Sequence, residues 1–201
     1  MKSVLISIQP KWVEKITSGE KIIEVRKSRP KLETPFKCYI YCTKENKHYD
    51  LYIKEPKARE KYGIIDRLRA GQEEVIKTID GYKTFIAHGK VIGEFICDRV
   101  DKIGWFGNPE LIEDRYLKES CLTLKELYKY TKGEIYYEWH ISDLKIYDKP
   151  KELSEFTKYM ECKNTYDCCA CHKWDGLDLK CIAMNNEVKR PPQSWCYVEG
   201  E

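Results

Sequence analysis

The alternation of apolar and polar positions at the start of the chain predicts a strand, a short helix and a second strand. Residues 4–8 form a compact apolar run. Pro10 follows and suits the first turn of a helix, because its missing N–H would have no intrahelical partner there. Gly19 stands where a left-handed residue usually ends a helix, and residues 21–26 then alternate as in a strand. The segment therefore brings three charged residues together beside a helix end: Lys21, Glu24 and Arg26.

Further alternating segments downstream predict more strands. Residues 38–42 and 91–97 alternate in this way and contain cysteines that suit small buried positions. Residues 137–142 also alternate, and the pattern places Trp139 on one face of the predicted strand and His140 on the opposite face. Strands mixed with short helices predict an α+β protein.

The distribution of cysteine and charge divides the chain into one globular domain and a tail. Hydrophobic residues make up 42% of the 201 positions, which is enough for a core. Residues 1–156 carry the strand patterns and predict the domain. Within it, residues 54–81 are highly charged with apolar residues at helical spacing, and they predict a helical insertion. Residues 157–201 hold six of the ten cysteines and predict a loop-dominated extension packed on the domain.

The sequence also bears on the compartment and on the state of the thiols. No apolar run is long enough to span a membrane, and the first residues do not resemble a secretory signal. We therefore expect a cytoplasmic protein with no membrane partner and with reduced thiols. The four cysteines of the domain are then expected to be free, buried and apolar in character: Cys38, Cys42, Cys97 and Cys121.

Positive charge is concentrated in the first element. The formal net charge of the chain is +3, and the first 30 residues contain seven Lys or Arg against three Glu. The rest of the chain is therefore close to neutral. A localised basic face is a better indication of nucleic-acid binding than the total charge is.

The opening segment resembles the signature of ASCH domains, which belong to the PUA-like superfamily. The residues that carry the resemblance are Ile8-Gln9-Pro10-Lys11, Gly19-Glu20-Lys21 and Glu24-Val25-Arg26. Two later segments, at residues 137–144 and 190–198, resemble phage- and prophage-type ASCH proteins. The resemblance implies a small mixed β-barrel flanked by short helices, with a cleft for RNA, a nucleotide or a nucleobase.

The resemblance and the charge pattern together define a candidate ligand site. We expect RNA or a nucleotide to bind in a cleft framed by five residues: Lys11, Lys21, Glu24, Arg26 and His140. Two tryptophans, Trp12 and Trp139, are candidate surfaces for base stacking, although Trp139 also suits a core position. His140 has a second interpretation as a structural residue.

A hydrolase is the alternative function for the same cleft. Some ASCH-like proteins are acetylcytidine amidohydrolases, and this type pairs a lysine with a threonine three positions later. Lys21 matches that lysine, but Glu24 stands in the position of the threonine and cannot perform its hydroxyl chemistry.

Other ASCH-like proteins are described as ribonucleases. For a ribonuclease, Glu24 or His140 would act as base, while Lys21 and Arg26 would stabilise charge on the phosphoryl group. Binding without catalysis is the function that we expect first.

The cysteine-rich tail predicts a structural zinc site. In a reducing compartment, such a density of cysteines in a loop-rich segment suits a tetrahedral metal ion. The best four ligands are Cys162, Cys168, Cys171 and Cys181, with Cys196 as a substitute for an outer ligand. Free thiols, or disulfides in an exported protein, are the alternatives. A third function follows from the tail, which would act as the contact surface of a protein-interaction module.

Overall fold

A computed structural model describes residues 1–44, 88–105, 114–159 and 187–200 in full, and residues 48–53, 64–69 and 84–86 as strand backbone. The elements in chain order are β1 (Lys2–Ile8), α1 (Pro10–Thr17), β2 (Ile23–Arg26), β3 (Phe36–Cys42), β4 (His48–Ile53), β5 (Ile64–Arg69), β6 (Thr84–Ile86), β7 (Val91–Ile103), α2 (Asp114–Ser120), α3 (Leu124–Thr131), β8 (Tyr136–Lys151) and β9 (Trp195–Glu199). A 3₁₀ helix covers Leu153–Glu155.

The main sheet has six strands in the order β2-β8-β7-β3-β1-β9. Strands β1 and β3 are parallel, and the other neighbours are antiparallel, so the sheet is mixed. In the part of the chain that the structure describes, β2 and β9 are edge strands that do not pair with each other, and the sheet is not closed. A second sheet has the order β5-β4-β6. These observations confirm the predicted α+β class, with an open sheet in place of a closed barrel.

The predicted opening of the chain is confirmed element by element. Strand β1 covers the apolar run, α1 begins at Pro10, and Gly19 follows the helix with a φ of 82°, a left-handed value that suits glycine. Strand β2 begins only at Ile23, two residues later than the alternation indicated. None of the helices in the described ranges is long and apolar enough to cross a membrane.

Apolar clusters cover both faces of the main sheet. Alternate residues of β1 separate cleanly, since Val4 and Ile6 join the largest cluster and Leu5 joins a second one on the other face. A third cluster packs Ile23 and Val25 of β2 with residues of α2, α3 and neighbouring strands. The predicted burial is confirmed for three cysteines, Cys38, Cys42 and Cys97, whereas Cys121 is only partly buried.

The predicted helical insertion needs a correction at residues 64–69. This segment is strand β5, which pairs with β4 in the second sheet. Residues four positions apart, such as Ile64 and Leu68, share one face both in a helix and in a strand, so the apolar spacing could not separate the two. The rest of the predicted insertion, residues 54–63 and 70–81, lies outside the described residues.

The end of the chain is part of the main sheet, although the sequence placed it in the loop-dominated tail. Strand β9 pairs with β1 in antiparallel register, with Leu5 opposite Cys196. Its residues alternate between the two faces, because Trp195 and Tyr197 pack on the largest cluster while Cys196 and Val198 pack on the second. The sequence 195–198 therefore carries a strand pattern that the high cysteine content of the tail obscured.

Candidate functional site

A cleft of about 820 Å³ lies where the two ends of the open sheet approach each other. Its walls come from the end of β1, the first turn of α1, strand β2, helix α3 and residues 191–194. Among the described residues that line it, basic side chains outnumber acidic ones by four to two. The basic residues are Lys11, Lys21, Arg26 and Lys129, and the acidic residues are Glu24 and Glu126.

Arg26 spans the gap that the backbone leaves open. Its Nη2 donates a hydrogen bond to the Ser7 carbonyl of β1 at 2.7 Å, and its Nη1 donates to Ser194 Oγ at 3.3 Å, one residue before β9. The Arg26 side chain on the edge strand β2 thus contacts the opposite edge of the sheet, although no backbone pairing joins the two edges. The cleft forms around this bridge.

A buried ionic triad forms the floor of the cleft. Glu24 Oε2 lies 3.3 Å from Lys21 Nζ, and Glu24 Oε1 lies 2.9 Å from Arg26 Nη2. The three side chains are at most 8% exposed. Lys21 Nζ also donates to the carbonyls of Ile23 at 2.6 Å and Ser120 at 2.8 Å. The Lys21 ammonium therefore donates two hydrogen bonds to backbone carbonyls and forms an ion pair with Glu24.

The rim of the cleft is more exposed and carries charged side chains, among them Lys11 and Glu126, which form an ion pair at 3.6 Å. The Lys11 side chain is 57% exposed, and its ammonium lies 4.1 Å from the centroid of the partly exposed Trp12 ring. Lys129 is exposed on α3. Glu126 belongs to the capping box that begins α3, and hydrogen bonds from the backbone and side chain of Thr123 lower the pKa of its carboxyl.

Five of the seven predicted ligand residues line this cleft. They are Lys11, Trp12, Lys21, Glu24 and Arg26. The structure places the other two elsewhere, and the register of β2 against β8 gives the reason. Trp139 lies opposite Glu24 but is fully buried in the largest cluster, where its ring contacts those of Phe36 and Trp195. His140 lies opposite Ile23 and therefore occupies the other face of the sheet.

Helix α3 contributes cleft residues that the sequence reasoning missed. Glu126, Lys129 and Tyr130 all line the cleft. Their spacing of three and four positions puts them on one face of a helix, so a signal was present in the sequence. It could not be used because nothing in the sequence alone showed that α3 packs beside β2. Burial raises the pKa of the Tyr130 hydroxyl.

On the other face of the sheet, His140 belongs to a second polar cluster. Its Nε2 lies 2.8 Å from Asp101 Oδ2, and Arg99 approaches both residues. Glu138, two positions before His140, is 1% exposed, and burial raises the pKa of its carboxyl to about 7, with Asp101 adding a like charge. This cluster does not line the cleft.

The predicted zinc ligands are largely outside the described residues. Cys162, Cys168, Cys171 and Cys181 lie in the range 160–186, which the structure does not describe. Cys196 lies in β9 against the second apolar cluster, and burial raises the pKa of its thiol. The zinc site stays a prediction.

Comparison with known proteins identifies the fold. No protein-family model matches the chain, and no curated protein sequence matches it. A serine-to-alanine variant of ZmASCH from Zymomonas mobilis matches with a TM-score of 0.51 and 15% identity, over 98% of this chain and 88% of that chain. The ASCH protein itself gives a TM-score of 0.47 with 16% identity over 98% and 87%, and a tyrosine-to-phenylalanine variant gives 0.46 with 16% over 76% and 77%. The match to the serine-to-alanine variant shows that the chain has the α+β fold of that ASCH protein.

Proposed function

We propose that this chain is an ASCH-domain protein of the phage and prophage type that binds single-stranded RNA or a nucleotide in the cleft. The observation that carries the proposal is the composition of the cleft, which combines a basic excess at its wall and floor with a partly exposed tryptophan. A volume of about 820 Å³ is within the range of pockets that bind small organic ligands. Basic and aromatic side chains together are typical of single-strand binding.

The rim and the floor suit different parts of such a ligand. Lys11 and Lys129 are exposed ammonium groups that can contact phosphates, and Trp12 offers a ring on which a base can stack. At the floor, Glu24 Oε2 and Arg26 Nε have no hydrogen-bond partner. Both atoms are buried, so the floor presents the ligand with a charged surface, and the hydrogen-bonding groups open to a ligand are those of the rim.

Binding is better supported than hydrolysis at this cleft. A hydrolase would need Lys21 or Glu24 to exchange a proton with the ligand. Lys21 is buried, donates hydrogen bonds to two backbone carbonyls and pairs with Glu24, and Glu24 lies beside a cation at each of its oxygens. The triad is thus arranged to hold the floor of the cleft in one conformation. The third function, a protein contact through the tail, concerns a segment of which the structure describes only residues 157–159 and 187–200.

Substitution of the rim lysines tests the proposed function. Lys11→Ala and Lys129→Ala should each weaken the binding of a fluorescein-labelled hexanucleotide RNA by roughly threefold or more, because each removes one phosphate contact. Fluorescence anisotropy at fixed salt measures the change. Both lysines are exposed, so the variants should fold normally.

Lys125→Ala is the matched control for this measurement. Lys125 is exposed on the same helix as Lys129 but does not line the cleft. We expect its affinity for the RNA to equal that of the unsubstituted protein. An equal loss in Lys125→Ala and Lys129→Ala would show that the RNA does not use this cleft, and the proposal would then fail.

A further inference from the structure

Two acidic residues face each other directly across strands β7 and β8. Asp101 and Glu138 are partners in the antiparallel register, and they therefore share one face of the sheet. Like charges at directly opposite positions destabilise a sheet. The cost is greater here because Glu138 is only 1% exposed. Such a pair is expected where a positive charge lies between the two carboxylates.

His140 completes a group of three metal-ligating side chains. A carboxylate oxygen from Asp101, one from Glu138 and a ring nitrogen of His140 all lie within 4.8 Å of one another. Glu138 Oε2 is fully buried and has no hydrogen-bond partner of good geometry, although the Tyr136 hydroxyl of the same strand interacts with this carboxyl. A buried carboxylate oxygen of this kind ordinarily has a partner, and a bound cation would provide it.

The hydrogen bonds around His140 cannot all form at once. Nε2 lies 2.8 Å from Asp101 Oδ2, an acceptor, and 2.9 Å from Arg99 Nη2, a donor. A ring nitrogen either carries a proton and donates, or lacks one and accepts. A metal ion bonded to Nε2 and to Asp101 Oδ2 would remove this conflict, because both atoms would then act as ligands.

Strand β7 has an irregular register against β8 opposite His140. Cys97 lies opposite Ile141 and Val100 lies opposite Trp139, so residues 98 and 99 of β7 face His140 alone. This is a β-bulge, a feature that is frequent next to functional sites. It brings Arg99 against the cluster in place of a regular cross-strand neighbour.

We propose that Asp101, Glu138 and His140 bind a divalent first-row transition-metal ion, on the face of the β2–β8 pair opposite to the cleft. One imidazole with two carboxylates suits Mn²⁺ or Zn²⁺ better than Mg²⁺ or Ca²⁺, which prefer oxygen ligands alone. The two carboxylates would balance the charge of the ion. This site is separate from the cysteine-rich tail and from the cleft in its residues and in its ligand.

Side-chain rearrangement is needed to bind the ion. Ligand atoms at about 2.1 Å from a tetrahedral metal ion lie about 3.4 Å apart, so a pair at the 4.8 Å limit must close by roughly 1.4 Å, which side-chain rotation can supply. The Arg99 side chain must also leave, and it is 55% exposed and free to turn into solvent. A water molecule can occupy the fourth position of the ion, as in other sites with three protein ligands.

Titration of the metal-free protein with Mn²⁺ tests the site. Mn²⁺ is the best probe because it prefers oxygen and imidazole ligands to the thiolates of the tail. The electron paramagnetic resonance signal of free Mn²⁺ should fall by about one equivalent per chain, the capacity of one site. Glu138→Gln and His140→Ala should each weaken binding by more than about tenfold, at least the loss seen for outer-shell partners.

Two controls separate this site from the rest of the protein. Asp143→Asn alters an exposed acid on the same strand, at a position with a φ of 47° that asparagine tolerates, and should bind Mn²⁺ normally. Cys168→Ser should also bind normally. The Glu138→Gln protein should unfold in EDTA at the same temperature as the unsubstituted protein or higher, since it loses a buried acidic group. Absence of Mn²⁺ binding would overturn the proposal, and so would Glu138→Gln and His140→Ala proteins that bind Mn²⁺ as tightly as the unsubstituted protein.

Discussion

At the scale of single residues, Lys21 is the side chain whose role the structure changes most. The sequence predicted a ligand-binding or catalytic lysine, and the residue does line the cleft. Its ammonium is nevertheless engaged by two carbonyls and by Glu24, with the side chain only 2% exposed. We therefore expect Lys21 to fix the position of Glu24 at the floor and to act on a ligand through that residue.

Replacement of Lys21 should be costly for stability. Lys21→Met leaves the two carbonyl acceptors without their donor and removes one of the two cations beside Glu24. The expected loss in the free energy of unfolding is about 3 kcal/mol, as for other broken buried pairs. Urea denaturation measures it. Lys15→Met is the matched control, because its pair with Glu20 is exposed and should contribute less than about 1 kcal/mol. Equal losses in the two variants would contradict the structural role.

The sequence placed a residue in the cleft correctly where its position depends only on neighbours close in the chain. Lys21, Glu24 and Arg26 lie within six positions, so one strand pattern was enough to bring them together. His140 failed as a cleft residue because its placement depends on which residue of β2 lies opposite it. Since a shift of one position exchanges the two faces of a strand, only the register could decide.

At the scale of elements, three strands are joined by a polar cluster around Glu94. Glu94 Oε2 on β7 accepts a hydrogen bond of 2.6 Å from the Tyr147 hydroxyl on β8, and its Oε1 lies 3.3 Å from Lys37 Nζ on β3. Burial by itself would raise the pKa of the Glu94 carboxyl. The Tyr147 hydrogen bond and the Lys37 charge outweigh burial and lower that pKa from its ordinary value of 4.5.

This cluster should make stability depend on pH in the acidic range. Because folding lowers the pKa of Glu94, its contribution is complete above about 4.5 and is lost as the pH falls through the folded-state pKa. Glu94→Gln should therefore lower the free energy of unfolding by about 1 kcal/mol near neutral pH, and by less in acid. Urea denaturation across this range measures the difference. Glu134→Gln, at an exposed position, is the control. A difference that does not change with pH would contradict the account.

Some helices and strands could be predicted from the sequence pattern, and others could not. The start of the chain could be predicted because Pro10 and Gly19 mark both ends of α1. Strand β5 could not, because Ile64 and Leu68 share a face in either structure and its partner β4 is a separate segment. Strand β9 carried a regular alternation, but its pairing with β1 joins opposite ends of the chain.

At the scale of the whole molecule, the cleft exists because the sheet does not close. In the described residues, β2 and β9 remain edges, and Arg26 joins the two ends through Ser7 and Ser194. The resemblance to ASCH domains implied a barrel with a cleft, and the open sheet supplies such a cleft beside α3. On the opposite face of β2–β8, the cluster of Asp101, Glu138 and His140 is a second polar site.

The salt dependence of RNA affinity tests the central claim most directly. Each contact with a single-strand phosphate releases about 0.7 counterion, so affinity should fall linearly on a double-logarithmic plot against salt. In the Lys11→Ala/Lys129→Ala protein the slope should decrease in magnitude by about 1.4, because two phosphate contacts are lost. The Lys118→Ala/Lys125→Ala protein, altered at two exposed lysines away from the cleft, should keep the original slope. An unchanged slope in the first protein, or an equal decrease in both, would contradict RNA binding at this cleft.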